Sequence, residues 1–125
     1  MDIFPNTDNT NITVDRARFY DLSNRAQRIA RCVEGDNFIA ELRCIFSLME
    51  LAHDSIGDDF IDEMRVVGEE CLWRAARAGS TGILEYLIRE RGVDPGARRA
   101  MLYASRAGKI QAVQLLHSYG VPRRG

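Results

Sequence analysis

The chain has 125 residues, 46% of them hydrophobic and 28% charged, which suits one folded domain and excludes an intrinsically disordered protein. The formal net charge is −1, but residues 34–70 contain eleven acids against two arginines, whereas residues 71–125 contain ten bases against three acids. The net charge is therefore −9 in the first of these segments and +7 in the second. A chain with this charge asymmetry is expected to present two faces that favour different partners.

Location is predicted from three features. No apolar run approaches the roughly 20 residues of a membrane span, and the start, MDIFPNTDNTNIT, lacks the basic and apolar regions of a secretory signal. The three cysteines, Cys32, Cys44 and Cys71, are odd in number and irregularly spaced. They favour reduced, mostly buried thiols over a disulfide framework, so we expect a cytoplasmic protein with no membrane partner.

Residues 1–12, rich in Asn, Thr and Asp, are expected to form a flexible arm before a single helical domain at 13–125. Thr13 or Asp15 can cap a first helix, in which apolar residues recur at helical spacing as far as Val33. Gly35 is expected to end that helix, and Asp36 to cap the next one.

The second helix carries a wide apolar stripe from Phe38 to Ala52, which predicts burial. His53 to Asp59 has the composition of a turn. A short third helix is expected over 58–67, closed by Gly68. Since no segment alternates apolar and polar residues for long, the N-terminal part (13–68) is predicted to be helical, with no substantial sheet.

The C-terminal part contains one phrase twice. AARAGSTGILEYLIRERGVD begins at Ala75 and ASRAGKIQAVQLLHSYGV begins at Ala104, with Gly79 and Gly108 in matching places. Each copy predicts a helix that ends in small residues, a glycine turn, and a second helix with an apolar ridge. Such a short helical pair cannot bury its apolar face alone, so the copies should stack on one another and on the preceding helices.

These copies resemble ankyrin repeats over about residues 70–122. The resemblance rests on Leu72, Ala75, Ala76, Gly79, Leu87, Gly92 and Asp94 in the first copy, and on Ala104, Gly108, Val113, Leu115, Leu116 and Gly120 in the second. It implies stacked helical hairpins over 69–122 and a protein-binding role. The threonine-proline-leucine-histidine start is missing, and residues 94–99 are too few for the family's projecting hairpin, so a blunt turn is expected there. An irregular helical bundle is the alternative.

No catalytic, metal or cofactor site is predicted. His53 and Asp54 are neighbours whose side chains should point apart on a helix. Cys71 lies beside Glu69 and Glu70, which favours a buried structural thiol over a reactive one. Zinc spacings and a phosphate loop are absent from the sequence, and Phe60 and Ile61 interrupt the acidic run as a calcium loop. We therefore expect a protein that is not an enzyme.

The repeats also carry the candidate partner-binding residues: Arg74, Arg77, Tyr103, Arg106, Lys109, Arg98 and Arg99. Arg77 and Arg106 occupy equivalent positions and should point the same way. Arginine and aromatic side chains dominate binding energy at protein interfaces. We therefore predict a small inhibitor, immunity, effector or adaptor protein that docks a partner protein, and the alternative is a small nucleic-acid-binding regulator that uses the basic C-terminal half.

Overall fold

The computed structural model describes residues 14–123, so the predicted arm at 1–12 lies outside the described residues. The described chain is helical, without any strand, which confirms the all-α class. The helices are α1 (Arg16–Ala30), α2 (Ile39–Glu50), α3 (His53–Ile56), α4 (Phe60–Ala78), α5 (Thr81–Glu85), α6 (Ala100–Arg106) and α7 (Ile110–Ser118).

The first helix begins as the sequence predicts. The Asp15 side chain accepts a hydrogen bond from the Arg18 N–H at 2.8 Å and so caps α1. The helix ends earlier than expected, however, at Ala30, and Val33 is 75% exposed beyond it. The apolar face therefore does not extend to Val33, because the chain has already left the helix at Arg31 and turned toward a 3₁₀ segment at Gly35–Phe38.

Asp36 caps a different helix from the one predicted. No side chain caps α2, and the Asp36 carboxylate instead accepts hydrogen bonds from the Gly82 and Ile83 N–H groups at 3.1 and 2.9 Å. These donors belong to the first turn of α5, which has no cap from its own chain neighbours. The cap is supplied through space, by a turn more than forty residues away in sequence.

Gly68 does not close a short helix, and this prediction is wrong. It lies buried inside α4, a continuous helix of 19 residues. A Cβ atom at Gly68 would come within 2.8 Å of Val93 Cγ2, so glycine here permits a close approach of the chain that follows α5. The boundary expected between residues 68 and 69 thus falls within one helix.

The two copies of the repeated phrase form the same turn. Gly79 and Gly108 both adopt left-handed conformations, with φ of 80° and 71°. The next residue in each copy donates its N–H to the carbonyl of Ala75 or Ala104, at 2.9 and 3.0 Å. The two glycine turns therefore match in backbone conformation and in hydrogen bonding.

The second helices of the two copies differ by one residue. The Val93 N–H donates to the Leu87 carbonyl at 3.0 Å, and the Val121 N–H donates to the Leu116 carbonyl at 3.2 Å. The first closure thus spans one residue more than the second. The extra residue lies in a π-helical turn, Tyr86–Glu90, which continues α5.

The helices pack as hairpins in two layers. In one layer α1 packs on α4, and α4 packs on α6; in the other, α5 packs on α7. The α2 helix packs on α1 and contacts the π-helical turn through Phe46 and Tyr86, whose ring centres lie 6.1 Å apart. A tight 3₁₀ turn at Ala97–Arg99 joins the two repeated hairpins, as the shortened segment predicts. Because α1 packs on α4 and α2 contacts Tyr86, the N-terminal helices cover the open flank of the first copy.

Candidate binding site

A cleft of about 370 Å³ lies where α1 ends, α4 ends and α7 begins. We call it the basic cleft; it is lined by Arg31, Val33, Trp73, Arg74, Arg77, Ala78 and Lys109. On its other side, Arg31 and Arg74 also line a shallower cleft with Asn24, Gln27 and Arg28. The two clefts share Arg31 and Arg74, so five cationic side chains border two adjacent clefts.

The fold brings these residues together from three elements. Trp73, Arg74 and Arg77 lie on one face of α4, because residues one turn apart on a helix project the same way. Lys109 occupies the N-cap position of α7. Its side chain crosses the glycine turn closely, since a Cβ at Gly79 would lie 2.9 Å from Lys109 Cδ. The left-handed glycine thus also makes room for a cation of the cleft.

Most of these cations have no acidic partner in the part of the chain that the structure describes. Within residues 14–123, no carboxylate lies within ion-pair distance of the side chains of Arg28, Arg31, Arg77 or Lys109. Arg74 alone has an acidic neighbour, with its guanidinium 3.5 Å from Glu70 Oε1. Like charges that converge without counter-charges raise the local positive potential and favour an anionic ligand.

Trp73 forms the aromatic part of the site. Its indole N–H donates to Glu70 Oε1 at 3.0 Å, and its ring centre lies 4.7 Å from that of Tyr103. The Arg74 guanidinium carbon lies 4.5 Å from the same indole, within the range of a cation–π contact. The Arg74 Nε is buried without a hydrogen-bond partner among the described residues. The indole thus contacts two planar side chains, those of Tyr103 and Arg74.

The structure gathers only part of the predicted site. Arg74, Arg77 and Lys109 line the basic cleft, and Tyr103 supports it by packing on Trp73. Arg106 is exposed at the end of α6 and does not line the cleft. It occupies the place in the second hairpin that Arg77 occupies in the first.

The other two predicted arginines lie apart from the cleft lining. Arg98 binds acidic side chains of α4, with Nε 3.0 Å from Glu69 Oε1 and a terminal nitrogen 3.3 Å from Glu70 Oε2. Arg99 is exposed in a left-handed conformation, with φ of 57°, at the N-cap position of α6. Arg98 therefore fastens the inter-repeat turn to α4 and is already neutralised by its partners.

Sequence reasoning missed the contribution of α1. Arg28 and Arg31 are three residues apart at the end of this helix and so lie on one side of it. Their spacing could have suggested a cationic face. Their meeting with Arg74 could not be read from the sequence, because it depends on how α1 packs against α4.

The nucleophile candidates are not arranged for catalysis. Cys71 is buried, as predicted, and burial raises the pKa of its thiol to about 12. Cys32 and Cys44 are exposed, so the expectation of mostly buried thiols is wrong for both. They project to solvent from a turn and from the outer face of α2. His53 Nδ1 lies 3.5 Å from the Asp54 carboxylate, so the expectation that these two side chains point apart is wrong, and both are exposed to solvent.

Within residues 14–123, no three His, Cys, Asp or Glu side chains converge as a metal site would require. None of the helices in this range has both the length and the apolar character needed to cross a bilayer.

Comparison with known proteins gives no relative. No protein-family model, curated protein or solved structure matches the chain. The function must therefore be inferred from the residues and their geometry.

Proposed function

We propose that this chain is a non-enzymatic protein-binding module, acting as a small inhibitor, immunity, effector or adaptor protein in the cytoplasm. It docks an acidic segment of a partner protein in the basic cleft. The observation that carries this proposal is the convergence of Arg31, Arg77 and Lys109, without ion pairs in the described chain, around the only tryptophan.

The chemistry of the cleft fits carboxylates of a protein. Guanidinium groups bind carboxylates through two parallel charge-assisted hydrogen bonds. Each exposed pair contributes only about 0.2–1 kcal/mol. Several such pairs would orient the acidic segment in the cleft and speed its association with the chain. Trp73 and Val33 add apolar contact.

We also propose that the hairpins form a shortened ankyrin-like scaffold. This assignment is supported by the matching turns at Gly79 and Gly108 and by the packing of α4 on α6 and of α5 on α7. Residues 94–99 form no projecting hairpin, and this supports docking of the partner in the basic cleft, where the first repeat meets α1.

Nucleic acid is the second candidate, since five cations along two adjacent clefts would also attract phosphates. Single-strand binders stack bases on aromatic rings. Trp73 is the aromatic residue in this cleft, and Tyr103 and Arg74 already contact its ring. This arrangement favours a protein ligand, and a direct comparison of ligands separates the two candidates.

The test uses fluorescence anisotropy with a labelled peptide rich in Asp and Glu that contains one Leu. We expect saturable binding that Arg77→Glu weakens about tenfold, or about 1.4 kcal/mol. The matched control is Arg89→Glu, which makes the same charge change at an exposed arginine on the π-helical turn, outside the cleft. It should weaken binding by less than about twofold, through long-range charge alone.

Equal losses in the two variants would overturn the proposal, because binding would then follow net charge and not the cleft. A single-stranded oligonucleotide of the same charge is titrated in parallel. If it binds more tightly than the peptide and Arg77→Glu weakens it most, the nucleic-acid function replaces the protein-binding one.

A further inference from the structure

A second groove of about 380 Å³ lies between α2, the first half of α4 and the chain at residues 91–94. We call it the acidic groove. Its apolar lining comprises Phe46, Phe60, Ile61, Met64 and Val93. None of these residues lines the basic cleft, so the two sites are separate surfaces.

Part of the apolar lining of the acidic groove is exposed to solvent and is not buried in the core. Ile61 is 73% exposed, although it is a large aliphatic residue in the first turn of α4. Phe60 beside it is half-buried and also borders a neighbouring cleft with His53 and Asp54. Exposed apolar surface that lines a groove marks a site of interaction more often than a lone exposed residue does.

The cations at the groove are neutralised within the molecule. Arg91 lies 2.8 Å from the Glu50 carboxylate, and Arg65 lies 3.2 Å from Asp62 and 3.7 Å from Glu69. These ion pairs use the basic side chains of the lining, so they leave no cation available for an acidic ligand.

Several acids around the groove, by contrast, have no cationic partner. Within residues 14–123, Asp58 and Asp59 make no ion pair, and both precede Ile61 at the start of α4. Asp94 lines the groove itself, and its carboxylate accepts a hydrogen bond from the Gly96 N–H at 3.0 Å and makes no ion pair in the described part of the chain. Asp58 lines a neighbouring cleft that shares Phe60 and Ile61 with the groove, so acids without a cationic partner lie beside the apolar lining.

We propose that the acidic groove docks a basic amphipathic segment of a second protein partner. A large apolar side chain of that segment packs against Phe60 and Ile61, and its lysines or arginines face Asp58, Asp59 and Asp94. Anionic membranes and nucleic acids are repelled by the same charges. This proposal goes beyond the basic cleft and does not depend on it: the chain would hold two partners of opposite charge.

The size of the groove limits how many side chains of the partner can enter it. A volume of about 380 Å³ is at the small end of ligand pockets and accommodates one or two large side chains. Amphipathic helices bind such grooves through apolar side chains at positions i, i+3 or i+4. The matching partner is therefore a short helical segment with Leu-like anchors on one face and basic residues on both sides of them.

The test uses a labelled helical peptide of Leu and Lys with apolar residues at that spacing, and the same peptide with Glu in place of Lys. We expect the Lys peptide to bind and Ile61→Gln to weaken it about tenfold. The control is Ile110→Gln, since Ile110 is 68% exposed but lies outside the groove. It should leave the affinity within twofold of wild type, as should Arg77→Glu. Circular dichroism checks that each variant is folded.

Three results would overturn the proposal. Equal weakening by Ile61→Gln and Ile110→Gln would mean that the peptide recognises charge alone. Equal affinity for the Glu peptide would remove the charge complementarity. Sedimentation that shows a dimer of the chain, dissociated by Ile61→Gln, would assign the groove to a second copy of the chain. Because Arg77→Glu separates the two sites, failure here leaves the basic cleft untouched.

Discussion

Cys71 lies in the middle of α4 and packs in the core with Leu72 and Met101. Burial raises the pKa of its thiol to about 12, with Arg74 opposing the rise and Glu70 adding to it. The thiol is therefore neutral at physiological pH and behaves as a small apolar side chain. Its position beside the cationic Arg74 does not make it a nucleophile.

This shift predicts how stability depends on alkaline pH. In the unfolded chain the Cys71 thiol ionises near pH 9.0, whereas in the folded chain it ionises near 12. Its contribution is thus complete below the lower value and is lost as pH rises through the higher one. Above pH 9 the unfolding free energy of wild type should fall faster than that of Cys71→Ala, by about 1 kcal/mol per pH unit.

Urea unfolding of both proteins between about pH 8 and about pH 10.5 measures this difference. Parallel pH profiles for the two proteins would contradict the assigned pKa. The other alkaline groups are common to both proteins, so their contributions cancel in the comparison.

At the residue scale, the sequence identified part of the basic cleft and could not identify the rest. Arg74 and Arg77 precede the Gly79 turn and Lys109 follows Gly108, and the packing of the two hairpins brings all three to the basic cleft. Arg31 joins them only through the packing of α1 on α4. Arg98 has the same residue type and lies in the same segment, yet it is neutralised by Glu69, and ion pairing of this kind depends on tertiary contacts.

Among the elements, α5 depends most visibly on a distant residue. It is five residues long before the π-helical turn begins, and no side chain of its own caps it. The Asp36 carboxylate binds two of its first N–H groups and so links the turn after α1 to the repeated hairpins. The same turn also contacts the start of α5 through Ser80, whose hydroxyl donates to the Cys32 carbonyl at 3.3 Å.

Asp36→Ala should therefore destabilise the protein by about 1–2 kcal/mol, as the loss of a helix cap does. Asp36→Asn keeps an accepting oxygen and should cost less. The control is Asp58→Ala, an exposed acid whose side chain caps no helix. Thermal or urea unfolding measures all three variants, and equal destabilisation by Asp36→Ala and Asp58→Ala would rule out the through-space cap.

The element predictions succeeded where the signal was local. The cap at Asp15 and the turns at Gly79 and Gly108 depend on neighbouring residues and were predicted from them. The end expected at Gly68 was wrong because that glycine serves a close approach to Val93, which lies 25 residues away. The only sign of the π-helical turn at Tyr86–Glu90 in the sequence was the one-residue offset between the two copies.

On the scale of the whole molecule, the all-α class was predicted from the sequence. Earlier helices were expected to cover the first repeat, since a short helical pair needs neighbours, and α1 packs on α4. Residues 58–67, however, are part of α4 or lead into it and do not form a separate covering helix. The sequence also predicted two faces that favour different partners, but it could not show which of their charges are neutralised within the fold. Internal ion pairs such as Arg91–Glu50 and Arg98–Glu69 neutralise part of each segment. Within residues 14–123, the charges left without an ion pair include Arg31, Arg77 and Lys109 at the basic cleft and Asp58, Asp59 and Asp94 in or beside the acidic groove.

The central claim is that an acidic protein segment binds at the basic cleft, and the single tryptophan tests it without any mutation. Trp73 lines that cleft and reports its occupancy by intrinsic fluorescence. During titration with the acidic peptide, we predict a saturable change in Trp73 emission whose midpoint equals that of the anisotropy curve. A rise in anisotropy with no change in Trp73 emission would place the peptide elsewhere and contradict the account.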